Sequence, residues 1–252
     1  MSLSEEIILW CYCRDGNVEE VRKLLQNPQI GPNWQDKYGE TPLFNACFWE
    51  RIEVVKLLLN DERVDVNKAN EYHQTPFSIT CYRGHIEIVK LLLNNGRVDV
   101  NKTDVYGETT FYMACSRGRF EIVKLLLNDE RVDVNKANNH GQTPFYTACK
   151  EGHIEVMTLL LNDQRVNKTQ TDGDCWASLW ISCYNGQIKA VKDILASGRE
   201  VNLNTENLKE KSILDIARER KDKDLVQLLE SFEKDPIDAW RKLRKELGFS
   251  GK

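Results

Sequence analysis

The sequence predicts an all-α repeat solenoid, and three observations carry that prediction. The stretch VKLLLNDERVDVNKAN stands at Val55–Asn70 and again, unchanged, at Val123–Asn138, 68 positions further on. Half that separation is also a step: Cys13, Cys47, Cys81, Cys115, Cys149 and Cys183 fall 34 residues apart, as do Asn33, Asn67, Asn101 and Asn135. Each step holds two short helix-period segments and a polar loop. Self-similarity at this period marks supersecondary units that cannot bury an apolar face alone and do so by stacking on a copy.

The elements of one repeat follow in order. Thr41-Pro42, Thr75-Pro76 and Thr143-Pro144 place a capping hydroxyl before a proline at the first helical position, with Thr109-Thr110 and Ala177-Ser178 as degraded versions. The first helix runs through a small apolar core such as Phe145 and Ala148-Cys149, then stops at Gly152, which tolerates a left-handed turn. A second helix follows, IEIVKLLL or IEVMTLLL, with Glu87 and Lys90 spaced to pair on its exposed side. An extended loop then leads to a turn such as Asp36–Gly39 or Asp104–Gly107. Helices of about eight to ten residues do not persist alone in water, so stacking must supply their stability. The frame accommodates about seven repeats, the terminal ones atypical because they face water on one side. Their expected bounds are 3–35, 36–69, 70–103, 104–137, 138–171, 172–206 and 207–233, an array over 1–233 followed by a tail, 234–252.

GETPLFNAC, the GHIEIVKLLL run of Gly84–Leu93 and the DVN step of Asp99–Asn101 together resemble ankyrin repeats, over roughly residues 5–233. The step of 34 exceeds that family's usual ~33, the extra residue lying in NDERVDVN. The resemblance implies an ankyrin-like stack of helix-turn-helix units. A β-hairpin-like loop projects from each, and the stack curves around a concave groove that binds other proteins. It also implies that Asn67, Asn101 and Asn135 are possible hydroxylation sites for an asparaginyl hydroxylase.

Three departures stand out. The sixth repeat reads RVNKTQTDGDCW, so its hairpin is expected to differ in shape from its neighbours. His73 stands where neighbouring turns have Gly39, Gly107 and Gly141, and Glu50 takes the helix-ending position held elsewhere by Gly16, Gly84, Gly118, Gly152 and Gly186. A left-handed Glu50 would cost about 1–2 kcal/mol, so a relaxed turn is expected there instead.

Composition excludes several functions. The formal net charge of −4 argues against coating nucleic acid, and Glu40, Glu71, Glu108 and Glu151 interleave with the cations of the expected groove. The apolar runs are only a few residues long, so no membrane span is expected. The opening MSLSEEIILW has no basic segment and only a four-residue apolar patch, unlike a secretory signal. The six in-step cysteines read as small core residues. Adjacent helices pack about 8–10 Å apart, beyond disulfide reach, so free thiols in a reducing compartment are expected, the cytoplasm first and the nucleus next. Cys11 and Cys175 fall outside that ladder, and no second ligand pair at zinc spacing accompanies Cys11-Tyr-Cys13. His85 and His153 share a repeat position two repeats apart and cannot converge. GxSxG, HExxH and phosphate-loop patterns are absent. The expectation is a non-catalytic monomer with no metal and no cofactor, binding a protein or peptide rather than nucleic acid or membrane.

What varies within the fixed frame is then the candidate site. The turns carry Tyr38, Tyr72, Tyr106 and His140 in register, and the pair before each helix-ending position reads Phe48-Trp49, Tyr82-Arg83, Ser116-Arg117, Lys150-Glu151 and Tyr184-Asn185. In the resembling family these two places line the groove, and aromatic and arginine side chains dominate binding hot spots. Tyr38, Phe48, Trp49, Tyr72, Tyr82, Arg83, Tyr106, Arg117 and His140 are therefore the partner-binding candidates, with Phe48 and Trp49 at the centre. A column of Phe44, Tyr112, Tyr146 and Trp180, interrupted by Ser78, is expected to pack between repeats, and the Lys56/Lys90/Lys124 and Glu53/Glu87/Glu121 rows to face solvent.

In the tail, Asp235 and Pro236 start a helix and Gly248 stops it, with Ile237, Trp240, Leu243 and Leu247 on one face and Arg241, Lys242, Arg244 and Lys245 around them. It is expected to cap the array. The alternative is that the array is a passive scaffold or spacer and this basic helix is the binding element.

Overall fold

The computed structural model describes residues 4–167, 178–197 and 212–248. Fifteen helices occur among them, with an isolated antiparallel bridge between Thr103 and Thr109 in one hairpin. The expected all-α repeat solenoid is what forms. Most of the hairpin expected to be deformed, together with Cys175, lies outside the described residues. The chain divides into two compact units, one of Met1–Ala114 and Glu121–Asp133, the other of Cys115–Phe120 and Val134–Lys252.

In the N-terminal unit, α1 (Glu5–Asp15), α3 (Pro42–Phe48) and α5 (Pro76–Arg83) form one row. Behind it, α2 (Val18–Leu25), α4 (Ile52–Leu59) and α6 (Ile86–Asn94) form a second, each packed on its own partner and on the next of its row. α7 (Thr110–Ser116) and α8 (Phe120–Leu127) follow in the chain. The starts obey the sequence: Thr41 accepts from the Phe44 N–H at 3.1 Å, and Thr75 with Ser78 closes a reciprocal capping box. The core is a set of repeat-spaced side chains. Leu43 and Phe77 fill one place in the first helices, Val55 and Val89 another in the second, all at most 1% exposed. Each fully buried aliphatic contributes about 1.5–3 kcal/mol, which is how helices of seven to nine residues hold.

The helix-ending glycines have positive φ, 88° at Gly84 and 77° at Gly152, as the frame requires. Glu50 does too, at 58°, and so does His73 at 59°. The relaxed turn expected at Glu50 is therefore a correction: the repeat frame imposes the left-handed conformation whatever residue stands there. Its carboxylate lies 3.3 Å from His85 Nδ1, a partly compensating interaction. Glu50→Gly is expected to raise the stability of the N-terminal unit by about 1 kcal/mol, since the carboxylate it removes is largely in water. A lower denaturation midpoint in the variant would show that the pairing with His85 outweighs the strain.

The hairpins join through a clamp. Asn33 donates its amide to the Arg63 carbonyl at 2.7 Å and accepts from the Asp65 N–H at 2.7 Å. Asn67 repeats this with Arg97 and Asp99, and Asn101 with Arg131 and Asp133. The turn itself is made by the neighbouring aspartate, Asp65 Oδ1 accepting from the Asn67 N–H at 3.0 Å. So the in-step asparagines are bridges between consecutive loops. Arg63, Arg97 and Arg131 complete the clamp by donating to the Leu25, Leu59 and Leu93 carbonyls at 2.7, 2.8 and 2.8 Å, capping the end of the preceding second helix. Sequence reading passed over these arginines, although their 34-residue spacing was there to see. The exposed pair expected between Glu87 and Lys90 does not form; its counterpart one repeat earlier does, between Lys56 and Glu53 at 2.6 Å.

In the C-terminal unit, α9 (Pro144–Glu151), α11 (Ser178–Tyr184) and α13 (Ile213–Glu219) pack in one row, and α10 (Ile154–Asn162) packs on α9 and on α12 (Ile188–Ala196). Asn135 clamps Arg165 and Asn167 as its counterparts do. Lys221, at φ 58°, is a further left-handed residue that sequence reading did not single out. α14 (Lys223–Lys234) packs on α13, and α15 (Pro236–Glu246) packs on both α14 and α12. Asp235 caps α15 as expected, accepting from the Asp238 N–H at 3.0 Å. Leu243 and Ala239 are buried, Arg244 donates to the Ala196 carbonyl at 3.1 Å, and Lys192 pairs with Glu246 at 2.6 Å. Ile237 departs from the expected apolar face, being 65% exposed, because Ala239 rather than Ile237 turns toward the body.

The in-step cysteines are buried free thiols. Burial pushes the Cys47 and Cys149 thiols up to about 12 and raises those of Cys13, Cys81, Cys115 and Cys183 as well. Ser78, Tyr112, Tyr146 and Trp180 are buried with Phe44, so that column is packing. Trp10 extends it to the first repeat, donating Nε1–H to the Glu40 carbonyl at 3.0 Å.

Candidate partner-binding surface

The tips of the hairpins are built by side-chain turns. Asp36 Oδ1 accepts from the Tyr38 and Glu40 N–H groups at 2.9 and 2.8 Å, Asn70 Oδ1 from Tyr72 and Gln74 at 3.0 and 2.9 Å, and Asp104 Oδ1 from Tyr106 and Glu108 at 2.9 and 3.0 Å. This turn leaves the residue two beyond the acid or amide at the apex with its side chain outward. The first two tips touch through backbone, the Glu71 N–H donating to the Tyr38 carbonyl at 3.0 Å. A Cβ on Gly39 would stand 2.9 Å from the Glu71 nitrogen, so close approach as well as its φ of 76° demands glycine there.

The aromatics at these tips do not stack on one another. Tyr72 is 60% and Tyr106 64% exposed, and among the described residues no ring contact joins Tyr38, Tyr72 and Tyr106. Lys37 Nζ lies 4.8 Å from the Tyr38 ring centroid.

The second cluster lies at the other end of the first helices. Phe48 and Trp49 meet edge to face, centroids 5.1 Å apart, and Arg83 of the next repeat covers the Phe48 ring at 4.0 Å. Phe48 is half-buried by that contact, whereas Trp49 and Tyr82 are exposed. His85 Nε2 reaches the Phe48 carbonyl at 3.3 Å, and His153 Nε2 reaches the Ser116 carbonyl at 3.0 Å. Each of these histidines pins the end of the preceding first helix, so they serve the backbone. The two clusters flank α3, whose seven residues span roughly 10 Å. Glu40 Oε2 accepts from Asn45 Nδ2 at 3.2 Å, tying the first tip to that helix. Burial, and then the charge of Asp36, raises the Glu40 carboxyl above its usual value.

In the N-terminal unit the structure thus holds Tyr38, Phe48, Trp49, Tyr72, Tyr82, Arg83 and Tyr106. Arg117 and His140 belong to the C-terminal unit, where both are exposed and His140 sits on a tip built by Asn138. Among the described residues no helix is long and apolar enough to cross a membrane.

Comparison with known proteins agrees with this architecture. The family description "Ankyrin repeats (3 copies)" matches residues 3–70 and 77–172, and "Ankyrin repeats (many copies)" matches residues 49–93. No curated protein matches the chain. Among solved structures, the ankyrin repeat domain of Bcl-3, a member of the IkappaB protein family, is similar with a TM-score of 0.79 at 21% identity, over 87% of this chain and 97% of that one. An ankyrin repeat domain from Acinetobacter baumannii AYE is similar with a TM-score of 0.71 at 25% identity, over 77% of this chain and 98% of that one. The chain belongs to the ankyrin-repeat family, whose members generally mediate protein–protein interaction.

Proposed function

We propose that this chain is a non-catalytic interaction module that takes a protein, or an extended peptide, along the hairpin tips and groove of its N-terminal unit. Contact centres on Phe48 and Trp49 and is supported by Tyr38, Tyr72, Tyr82 and Arg83. One observation carries the reading. Among the described residues of that unit, every exposed large hydrophobic stands either at a hairpin tip (Tyr38, Tyr72, Val105 and Tyr106) or in the pair before a helix-ending position (Trp49 and Tyr82). A packing role would have buried them, as it buries the Phe44 column. The other reading, in which the basic tail helix binds and the array is a spacer, is second because Ala239 and Leu243 of that helix are already packed against the body. The free buried thiols support a reducing compartment, the cytoplasm first.

The test is comparative capture from a lysate of the source organism with three baits: the parent chain, Phe48→Ala/Trp49→Ala, and Lys150→Ala. Partners retained by the parent and by Lys150→Ala but lost by the double variant support the surface. Equal retention by all three would place binding elsewhere.

A further inference from the structure

We infer that the segment docking on the N-terminal unit is cationic: an extended stretch of a protein partner carrying arginine or lysine, whose charged ends lie on exposed rings beside carboxylates. This rests on the interaction surface proposed above and names the chemistry of its partner.

The charge of the tips comes first. Those of the N-terminal unit carry Asp36, Glu40, Glu71, Asp104 and Glu108 against a single cation, Lys37. That cation is committed to the Tyr38 ring. Beside it, burial and then the Asp36 charge raise the Glu40 carboxyl above its usual value. The corresponding tip in the C-terminal unit reads Asn138, Asn139, His140, Gly141 and Gln142, with no carboxylate.

Cations of the chain itself lie over Trp10, Tyr38 and Phe48, at 5.5, 4.8 and 4.0 Å from the centroids. These faces therefore take guanidinium and ammonium groups at ordinary cation–π distance. Trp49, Tyr72 and Tyr106 are exposed, and none has a cation over it among the described residues. A carboxylate follows or precedes the first two directly in the chain, Glu50 after Trp49 and Glu71 before Tyr72. A ring face beside a carboxylate suits a long cationic side chain, whose methylenes lie on the ring while its charge meets the acid. An acidic segment would meet the same carboxylates as like charges. The tips and the Phe48–Trp49 pair lie about one short helix apart, a span of roughly 10 Å that an extended chain covers in about three residues.

The probe is an acetylated, amidated peptide of alternating arginine and glycine, titrated into the isotope-labelled full chain and followed by amide chemical shifts. The same peptide with glutamate for arginine is the counterpart. Saturable shifts centred on Tyr38, Glu71 and Tyr72, at least about tenfold tighter for the arginine peptide, are expected. Glu40→Gln/Glu71→Gln should weaken that binding severalfold. Residue 40 then carries the side chain the chain already uses at Gln74 and Gln142, so folding is not at stake. Tyr72→Leu keeps apolar bulk and charge but removes the ring face, and should also weaken it, which diffuse attraction to an acidic protein would not. Equal affinity for the two peptides, shifts centred elsewhere, or indifference to both variants overturns the inference. The two claims separate cleanly in lysate capture. Partners lost by Phe48→Ala/Trp49→Ala but kept by Glu40→Gln/Glu71→Gln leave the surface standing and remove its cationic partner, whereas partners kept by both remove the surface itself.

Discussion

Raising the pH from about 8 to about 10 is expected to lower the stability of this protein by several kcal/mol, through its ladder of buried thiols. The six in-step cysteines are buried and free, and desolvation disfavours the thiolate at each. The folded value is raised above the ordinary value of 9.0, to about 12 at Cys47 and Cys149. A raised acid contributes fully below its unfolded value, and that contribution is lost as pH climbs toward the folded value. The loss therefore begins near the ordinary thiol range and steepens above it, at about 1.4 kcal/mol per pH unit for each thiol. Thermal unfolding under reducing conditions, at a series of pH values, measures the slope. Cys47→Ala/Cys149→Ala, one substitution in each unit, should flatten it by about two thiols' worth whatever it does to stability at neutral pH. An unchanged slope would assign the alkaline loss to other groups.

The second large effect concerns the tail. Deleting residues 235–252 is expected to destabilise the C-terminal unit and open it to proteolysis, because α15 packs on both α14 and α12 rather than lying free. Leu243, 2% exposed, is the best single probe: Leu243→Ala should cost about 2–5 kcal/mol. Arg244, which donates to the Ala196 carbonyl and covers the Trp240 ring at 4.7 Å, should matter less, since its charge stays partly in water. A truncated chain that melts like the parent would mean that α15 contributes nothing to the fold and is available for binding.

Most of this architecture was legible because the repeat writes each structural rule several times. Thr-Pro starts, glycine stops and the cysteine column are local statements, and each holds where the residues are described. What escaped reading was long-range or set by the frame. Glu50 stands visibly at a glycine position, but its intrinsic preference argued for a relaxed turn; Lys221 looks like an ordinary surface residue; both positions impose a left-handed backbone. Asn67 and Arg97 form their bonds 30 and 38 residues away, a pairing that no local pattern reveals. Ile237 was placed by helical spacing alone, which does not reveal which way a terminal helix leans on its body. The candidate surface was legible for the opposite reason. Once the frame accounted for the constant residues, Trp49 and Tyr72 were left without a role in it, and both are exposed, Trp49 with one contact to the Phe48 ring.

The measurement that bears most directly on the interaction surface is the dissociation constant of a captured partner for the parent and for Phe48→Ala/Trp49→Ala, by calorimetry, with the helical circular-dichroism spectrum of each recorded alongside. Truncating a buried aromatic anchor typically costs ~2 kcal/mol or more, so the double variant should bind at least roughly thirtyfold more weakly with its spectrum intact. Ser116→Ala and Lys150→Ala should bind like the parent. If the double variant binds as tightly as the parent, or loses its helical spectrum, these two aromatics serve the fold and the partner docks elsewhere.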